Sequence, residues 1–277
     1  MEETRRGELE LVALEVRKDI ARMAGVARSH DLAASLALVD VLVYLYWERM
    51  KVFPRERNKP GRDRLVLGGG SAAPALYACL ARLGFFERDE LWSYRRLGGM
   101  LQGYPDVITP VIDAPGGTSG LGIALGISAA LRMDGDGGRV FCILDSLELA
   151  QGAVWESLME APGYAQDHLT LVIYADDGGA DKRSRTMTAE RISKRLDSFE
   201  WASIDADGHD FESLDGAFQL ASGVESVPVA VITRTRHDGW YMSDNDSLKT
   251  SRPLSTDEVD RVISRLESES PVKAEKR

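Results

Sequence analysis

Five short stretches of the chain combine small residues with carboxylates, hydroxyls or a histidine, and each follows an apolar run. They lie at 67–71, 145–148, 175–180, 205–209 and 233–238. If the apolar runs form parallel strands, these stretches meet at one edge of a sheet, where such folds bind ligands. Carboxylates there suit a hard divalent cation, or they form a solvated turn. We therefore expect these loops to decide the function.

The apolar runs before these loops predict five strands, at 64–67, 140–144, 169–175, 201–205 and 229–233. Helical patterns separate them at 72–83, 120–133, 149–161, 188–196 and 211–221, and two earlier ones span 4–26 and 37–50. The runs do not alternate with polar residues, which is typical of strands buried on both faces. The predicted fold class is therefore α/β, with a doubly wound, mainly parallel sheet and helices on both faces.

No internal repeat divides the chain, so we expect a single domain over residues 1–266. The remaining residues, 267–277, are rich in charged residues and serine and predict a flexible C-terminal tail.

Composition excludes several classes of function. Thirty-four basic and 44 acidic residues give a net charge of −10, without the concentrated basic surface that nucleic acid requires. The longest apolar stretches fall well short of the roughly 20 residues that cross a bilayer, so no membrane partner is expected. The N-terminus shows no secretory signal, and two cysteines without metal-type spacing suggest reduced core residues. We expect a cytoplasmic protein.

Six short motifs, taken in order, resemble a known family. They are SLALVD at 35–40, RDRLVL at 62–67, AAPALY at 72–77, DAPGGTSGLG at 113–122, GAVWE at 152–156 and DGHD at 207–210. Their order and spacing resemble the N-terminal, diphosphate-binding half of transketolase over about residues 10–260, particularly the split form in which that half is a separate polypeptide. No single motif is specific; the series carries the resemblance.

The resemblance implies thiamine diphosphate and Mg²⁺ as cofactors and transfer of a two-carbon ketol unit between sugar phosphates. It also implies a partner. In the family a second, pyrimidine-binding domain completes the site, and the resemblance covers only the diphosphate-binding half. We therefore expect a transketolase C-terminal-like subunit, a homodimer, or both.

The metal loop departs from the family pattern. Counting back from the motif at 152–156 places the family's metal aspartate on Ser146, whereas a shift of one residue would place it on Asp145. The family's downstream asparagine falls on Asp177, the candidate metal ligand of this chain. Asp145 and Leu147 replace two glycines and add bulk and negative charge where a diphosphate would lie.

The histidines depart further. By the same resemblance Asp31, Ser71 and Tyr104 stand where the family has active-site histidines, and a fourth, near residue 250, is absent. The loop that passes the aminopyrimidine keeps its small residues at Gly117, Thr118 and Ser119. These three, with Ser146, are the candidate cofactor-binding positions.

Three hypotheses follow. The chain is an atypical or thiamine diphosphate-independent subunit that still assembles with a partner, an active split transketolase, or a repurposed pocket with different chemistry. The third would use a cavity lined by the degenerate positions, which are Asp31, Ser71, Tyr104, Ser146 and Asp177. Fold alone does not separate the three.

Overall fold

The computed structural model describes residues 1–29, 32–117, 120–164, 168–176, 187–236 and 253–269. Its α-helices are α1 (Glu3–Ala27), α2 (Leu32–Ala37), α3 (Val39–Tyr44), α4 (Ala73–Leu83), α5 (Gly120–Met133), α6 (Gly152–Glu160), α7 (Ala189–Asp197), α8 (Phe211–Ser222) and α9 (Thr256–Glu269). Its strands are β1 (Arg64–Leu67), β2 (Val140–Asp145), β3 (Leu169–Asp176), β4 (Ala202–Asp207) and β5 (Val229–Thr235).

The five strands form one sheet in the order β1-β2-β3-β5-β4, and every neighbouring pair is parallel. The predicted α/β fold is confirmed. Successive residues of a strand point to opposite faces. In β2, Phe141 packs on one side of the sheet while Cys142 packs on the other, and both are buried.

Two hydrophobic cores cover the two faces of the sheet. One contains residues of α1, α3, α4, α8 and α9, and the other contains residues of α5, α6 and α7. Burial on both faces explains the continuous apolar runs and places the polar loops at the strand ends.

The structure differs from the predicted elements in several places, and the short helix α2 was not predicted. The helix predicted over 37–50 is α3 followed by a π-helical turn, Leu45–Arg49. The helix predicted from 149 is preceded by a 3₁₀ turn, Ser146–Ala150, before α6 begins. Helix α9 was not predicted; its Leu266 is buried and its Glu267 pairs with Lys18 at 2.9 Å. Helix α9 ends at Glu269.

Among the described residues, no helix combines the length and apolar character needed to span a bilayer. Cys79 and Cys142 are both buried free thiols, as their apolar surroundings in the sequence suggest. Burial raises the pKa of each thiol and so disfavours the thiolate, which is the reactive form.

Candidate functional site

The loops after β1 and β2 lie side by side at the carboxyl edge of the sheet. Gly68 continues the pairing of the two strands by donating its N–H to Ile143 O at 2.8 Å. Helix α5 begins against the same loop: a Cβ on Gly120 would lie only 2.8 Å from the Cα of Gly68. The glycines at both positions permit this close approach of two backbones.

The Glu148 side chain faces the glycine loop 68–70. A Cβ on Gly68 would lie 3.0 Å from Glu148 Oε1, and one on Gly69 would lie 3.1 Å from Glu148 Oε2. Only 9% of the Glu148 residue surface is exposed. At Gly68 the Leu144 side chain comes closer still, since its Cδ2 would lie nearer to that Cβ than either Glu148 oxygen. Leu144 and the Glu148 carboxylate therefore fill together the space that the missing glycine side chains leave.

A capping box fixes the orientation of Glu148. Asp145 donates its backbone N–H to Glu148 Oε2 at 2.8 Å, and Leu147 donates its backbone N–H to Asp145 Oδ1 at 2.8 Å. Both carboxylates thus bind the free N–H groups at the start of the 3₁₀ turn Ser146–Ala150.

Burial raises the pKa of Glu148 to about 7. The bond from the Asp145 N–H opposes this shift, while the negative charge of Asp145 adds to it. Among the described residues, the charge that shifts the pKa of Glu148 is that of Asp145, which is negative like the Glu148 carboxylate itself. The edge of β2 is an acidic, desolvated position.

Tyr104 covers the next residue of the glycine loop. A Cβ on Gly70 would lie 2.5 Å from ring carbons Cδ1 and Cε1 of Tyr104, so the ring stacks directly on the bare backbone. The outer part of the ring is exposed, since 60% of the residue remains accessible. A hydrogen bond anchors the segment before Tyr104, because Tyr77 donates its hydroxyl to Gln102 O at 2.9 Å.

An ion pair anchors the loop that contains Gly117. Arg62 Nη1 donates to Asp113 Oδ2 at 2.9 Å, and its Nη2 donates to Asp113 Oδ1. Gly117 adopts a φ of 149°, which disfavours other residues, and accepts the Gly120 N–H at 2.9 Å. Two of the sequence motifs, RDRLVL and DAPGGTSGLG, thus meet through a scaffold contact.

The predicted site residues are brought together only in part. Tyr104 contacts Gly70, and Ser71 follows that glycine in the turn Gly70–Ala72. Ser146 is 1% exposed and donates its hydroxyl to Asp145 Oδ1 at 3.4 Å, so it points into the capping box. Four predicted positions lie outside the described residues: Asp31, Thr118, Ser119 and Asp177.

Two further motifs meet at the far edge of the sheet. His209, after β4, directs Nδ1 to Asp40 Oδ2 at 3.0 Å, and its Nε2 accepts the Arg236 N–H at 3.1 Å. This acceptor places the ring proton on Nδ1. Arg17 donates to the same Asp40 oxygen. Burial pushes the pKa of Asp40 upward, but Arg17 and His209 outweigh it and hold the pKa below its usual value.

This histidine is separate from the glycine loop. Strands β2 and β4 are three positions apart in the sheet, which corresponds to roughly 14 Å. We therefore assign His209 to the scaffold and not to the candidate site.

The described part of the strand edge offers little to a diphosphate held through a metal ion, and the candidate ligand Asp177 lies outside the described residues. Among them, no group of three or more His, Cys, Asp or Glu side chains is placed to hold a cation. The carboxylates at the end of β2 already accept backbone N–H groups. A diphosphate beside Glu148 would meet charge of its own sign in a desolvated position.

Two cavities lie away from the glycine loop. One of about 410 Å³ lies between α5 and α6 and is lined by Gly122, Leu125, Glu156 and Tyr164, among others. Another of about 540 Å³ lies at the amino-terminal edge of the sheet, near Arg139 and His168. Neither includes Glu148 or Tyr104 in its lining.

Sequence reasoning did not single out Glu148, which its contact with the glycine loop makes a candidate functional residue. The spacing of Asp145 and Glu148 is that of a capping box, which is a recognisable local signal. Nothing local indicates the second property of Glu148, its contact with glycines about eighty positions earlier in the chain.

Comparison with known proteins agrees with this fold. Residues 23–271 match the family model "Transketolase, thiamine diphosphate binding domain". The chain is 29% identical over 243 residues to the 6-deoxy-6-sulfo-D-fructose transketolase subunit SqwG of Clostridium sp. (strain MSTE9), covering 86% of this chain and 88% of that subunit.

Full-length relatives are matched over part of their length. Human transketolase-like protein 2 is 28% identical over 246 residues, which are 87% of this chain and 39% of that protein. Transketolase from Campylobacter jejuni superposes with a TM-score of 0.81 at 21% identity, over 98% of this chain and 43% of that one. The chain therefore spans about two fifths of these relatives, and it belongs to the transketolase thiamine diphosphate-binding domain family.

Proposed function

We propose that this chain is the N-terminal subunit of a transketolase-type assembly, that it works with a partner subunit carrying the pyrimidine-binding domain, and that it does not hold thiamine diphosphate through a metal ion. The observation that carries the proposal is the end of β2. Ser146 is buried in a capping box there, and Asp145 and Glu148 face inward.

The comparison with SqwG supports the two-chain arrangement. That protein is named a transketolase subunit, and this chain matches 88% of its length. A subunit of this kind needs a second chain to complete a site formed between two domains. We propose a transketolase C-terminal-like chain as that partner, with a homodimer as the alternative assembly.

The chemistry of the strand edge supports the cofactor part of the proposal. Divalent cations in proteins bind several oxygen ligands that are free to coordinate them. Asp145 Oδ1 and Glu148 Oε2 accept backbone N–H groups, which fix how both carboxylates are oriented, and the hydroxyl of Ser146 is buried against Asp145. Opening this arrangement would break the cap of the 3₁₀ turn.

Titration calorimetry of the full chain with thiamine diphosphate and Mg²⁺ tests the cofactor part. We expect no saturable isotherm. A micromolar isotherm that disappears on adding a chelator would contradict the proposal and favour an active ketol transferase.

Mixing the chain with a polypeptide that carries a transketolase pyrimidine-binding domain tests the partner part. We expect a stable complex by size-exclusion chromatography with light scattering. A homodimer that does not bind the added chain would contradict the proposed heteromeric assembly. As a further check, the combined replacements Ser146→Asp, Ser71→His and Tyr104→His should not produce ketol transfer unless the partner is present.

A further inference from the structure

We propose that the Glu148 side chain is an internal plug of the glycine loop 68–70 and that its carboxylate keeps anionic ligands out of this part of the site. The inference rests on the proposed function, because it names the group that makes the site unsuitable for a diphosphate.

The plug consists of side chains that lie against the backbone of the glycine loop 68–70. Glu148 Oε1 and Oε2 lie within 3.0–3.1 Å of Cβ positions built on Gly68 and Gly69, and Leu144 Cδ2 lies beside them, closer still to the Gly68 position. Tyr104 covers Gly70 in the same way. The chain itself thus occupies the bare faces of three consecutive glycines, which would otherwise offer open backbone to a ligand.

A hydrogen bond and burial fix the position of the Glu148 carboxylate. Glu148 Oε2 accepts the Asp145 N–H at 2.8 Å, and the side chain is almost completely buried. An incoming anion would have to displace it and break the cap. It would also lie beside Asp145, which adds a second negative charge.

Electrostatics gives the expected size of the effect. Two like charges about 4 Å apart, at an effective dielectric constant of about 20, repel strongly enough to weaken binding by roughly several hundredfold. Relaxation of the loop reduces this figure. We therefore expect removal of the charge to improve anion binding by about tenfold or more.

The test uses the full chain with inorganic pyrophosphate and Mg²⁺ as the probe, at about pH 8. Glu148→Ala removes both charge and volume. Glu148→Gln removes the charge but keeps an oxygen that accepts the Asp145 N–H, so it tests the proposal even if the alanine variant fails to fold. Glu156→Ala is the matched control, because it removes an equal charge from an exposed position on α6.

The proposal predicts that both Glu148 variants bind pyrophosphate at least about tenfold more tightly than the wild-type chain, and Glu148→Ala the more strongly of the two. The Glu156→Ala control should bind like wild type. An equal gain of pyrophosphate affinity in the control would show a general effect of net charge and would overturn the proposed plug.

The outcomes also separate this inference from the proposed function. If folded Glu148 variants and wild type all fail to bind, the plug is wrong while the absence of cofactor binding stands. If wild type binds as tightly as the variants, the plug is wrong and the cofactor part of the proposed function loses its support.

Discussion

Asp145 and Glu148 hold each other in place at the carboxyl end of β2. Glu148 Oε2 accepts the backbone N–H of Asp145 at 2.8 Å, and the Asp145 carboxylate accepts the N–H of Leu147 two residues on. The same contact that caps the 3₁₀ turn turns Glu148 toward the glycine loop of the neighbouring strand. One local hydrogen-bond pattern thus determines which side chain the end of β2 presents to the glycine loop.

The first prediction concerns the pH dependence of stability. Burial raises the pKa of Glu148 to about 7 in the folded chain, whereas an unfolded glutamate titrates near its ordinary value of about 4.3. The folded state therefore binds this proton more tightly. The contribution of Glu148 to the free energy of unfolding is fully present below about pH 4 and is lost as the pH rises through 7. This loss is on the order of 3 kcal/mol.

Urea unfolding of wild type and Glu148→Gln at several pH values checks this prediction. The free-energy difference between the two should shift in favour of the variant by this amount from pH 4 to pH 8. Glu156→Gln, at an exposed site, serves as control and should follow wild type. If the free energy of unfolding of wild type and of Glu148→Gln depends on pH in the same way, the raised pKa of the buried Glu148 carboxyl group is contradicted.

The second prediction concerns the approach of α5 to the glycine loop. Gly120→Ala should destabilise the chain by about 1–3 kcal/mol, because the new Cβ would lie 2.8 Å from the Gly68 Cα and neither backbone can move freely. Gly126→Ala in the same helix meets no atom within 4 Å and should stabilise it by about 0.5–1 kcal/mol. Denaturant midpoints measure both, and a neutral Gly120→Ala would rule out the close approach.

The third prediction concerns the pair that anchors the loop 113–117. Arg62 is buried and binds Asp113 through two hydrogen bonds, so Asp113→Asn should cost about 2–4 kcal/mol of stability. A double-mutant cycle with Arg62→Gln should give a coupling energy of about 1–3 kcal/mol. Additive effects of the two replacements would show that the pair does not stabilise the loop.

The fourth prediction separates the scaffold histidine from the site. His209→Ala removes the contact to the buried Asp40 carboxylate and should destabilise the chain by about 1.5–3 kcal/mol. In the Glu148→Ala background it should leave pyrophosphate affinity unchanged, because the two positions lie three strands apart. A loss of affinity in a folded double variant would place His209 in the site after all.

Much of the fold could be predicted from the sequence. Helix α5 begins and ends at the predicted residues, and the strands β1 to β3 agree within one or two residues, because apolar runs bounded by glycine and aspartate are strong local signals. The boundary between α3 and its π-helical turn was not predictable, since both carry the same apolar pattern. Helix α9 was missed because its amphipathic pattern is interspersed with many charged residues.

The sequence by itself determined most of the element types and the family resemblance, and it contains the local spacing that lets Asp145 and Glu148 form a capping box. Only the tertiary structure decided what these residues do. It brought Glu148 against Gly68 and Gly69 and placed Tyr104 on Gly70. The physical reason is that such contacts join segments dozens of residues apart, and only the packing of α5 and the strand register bring them together.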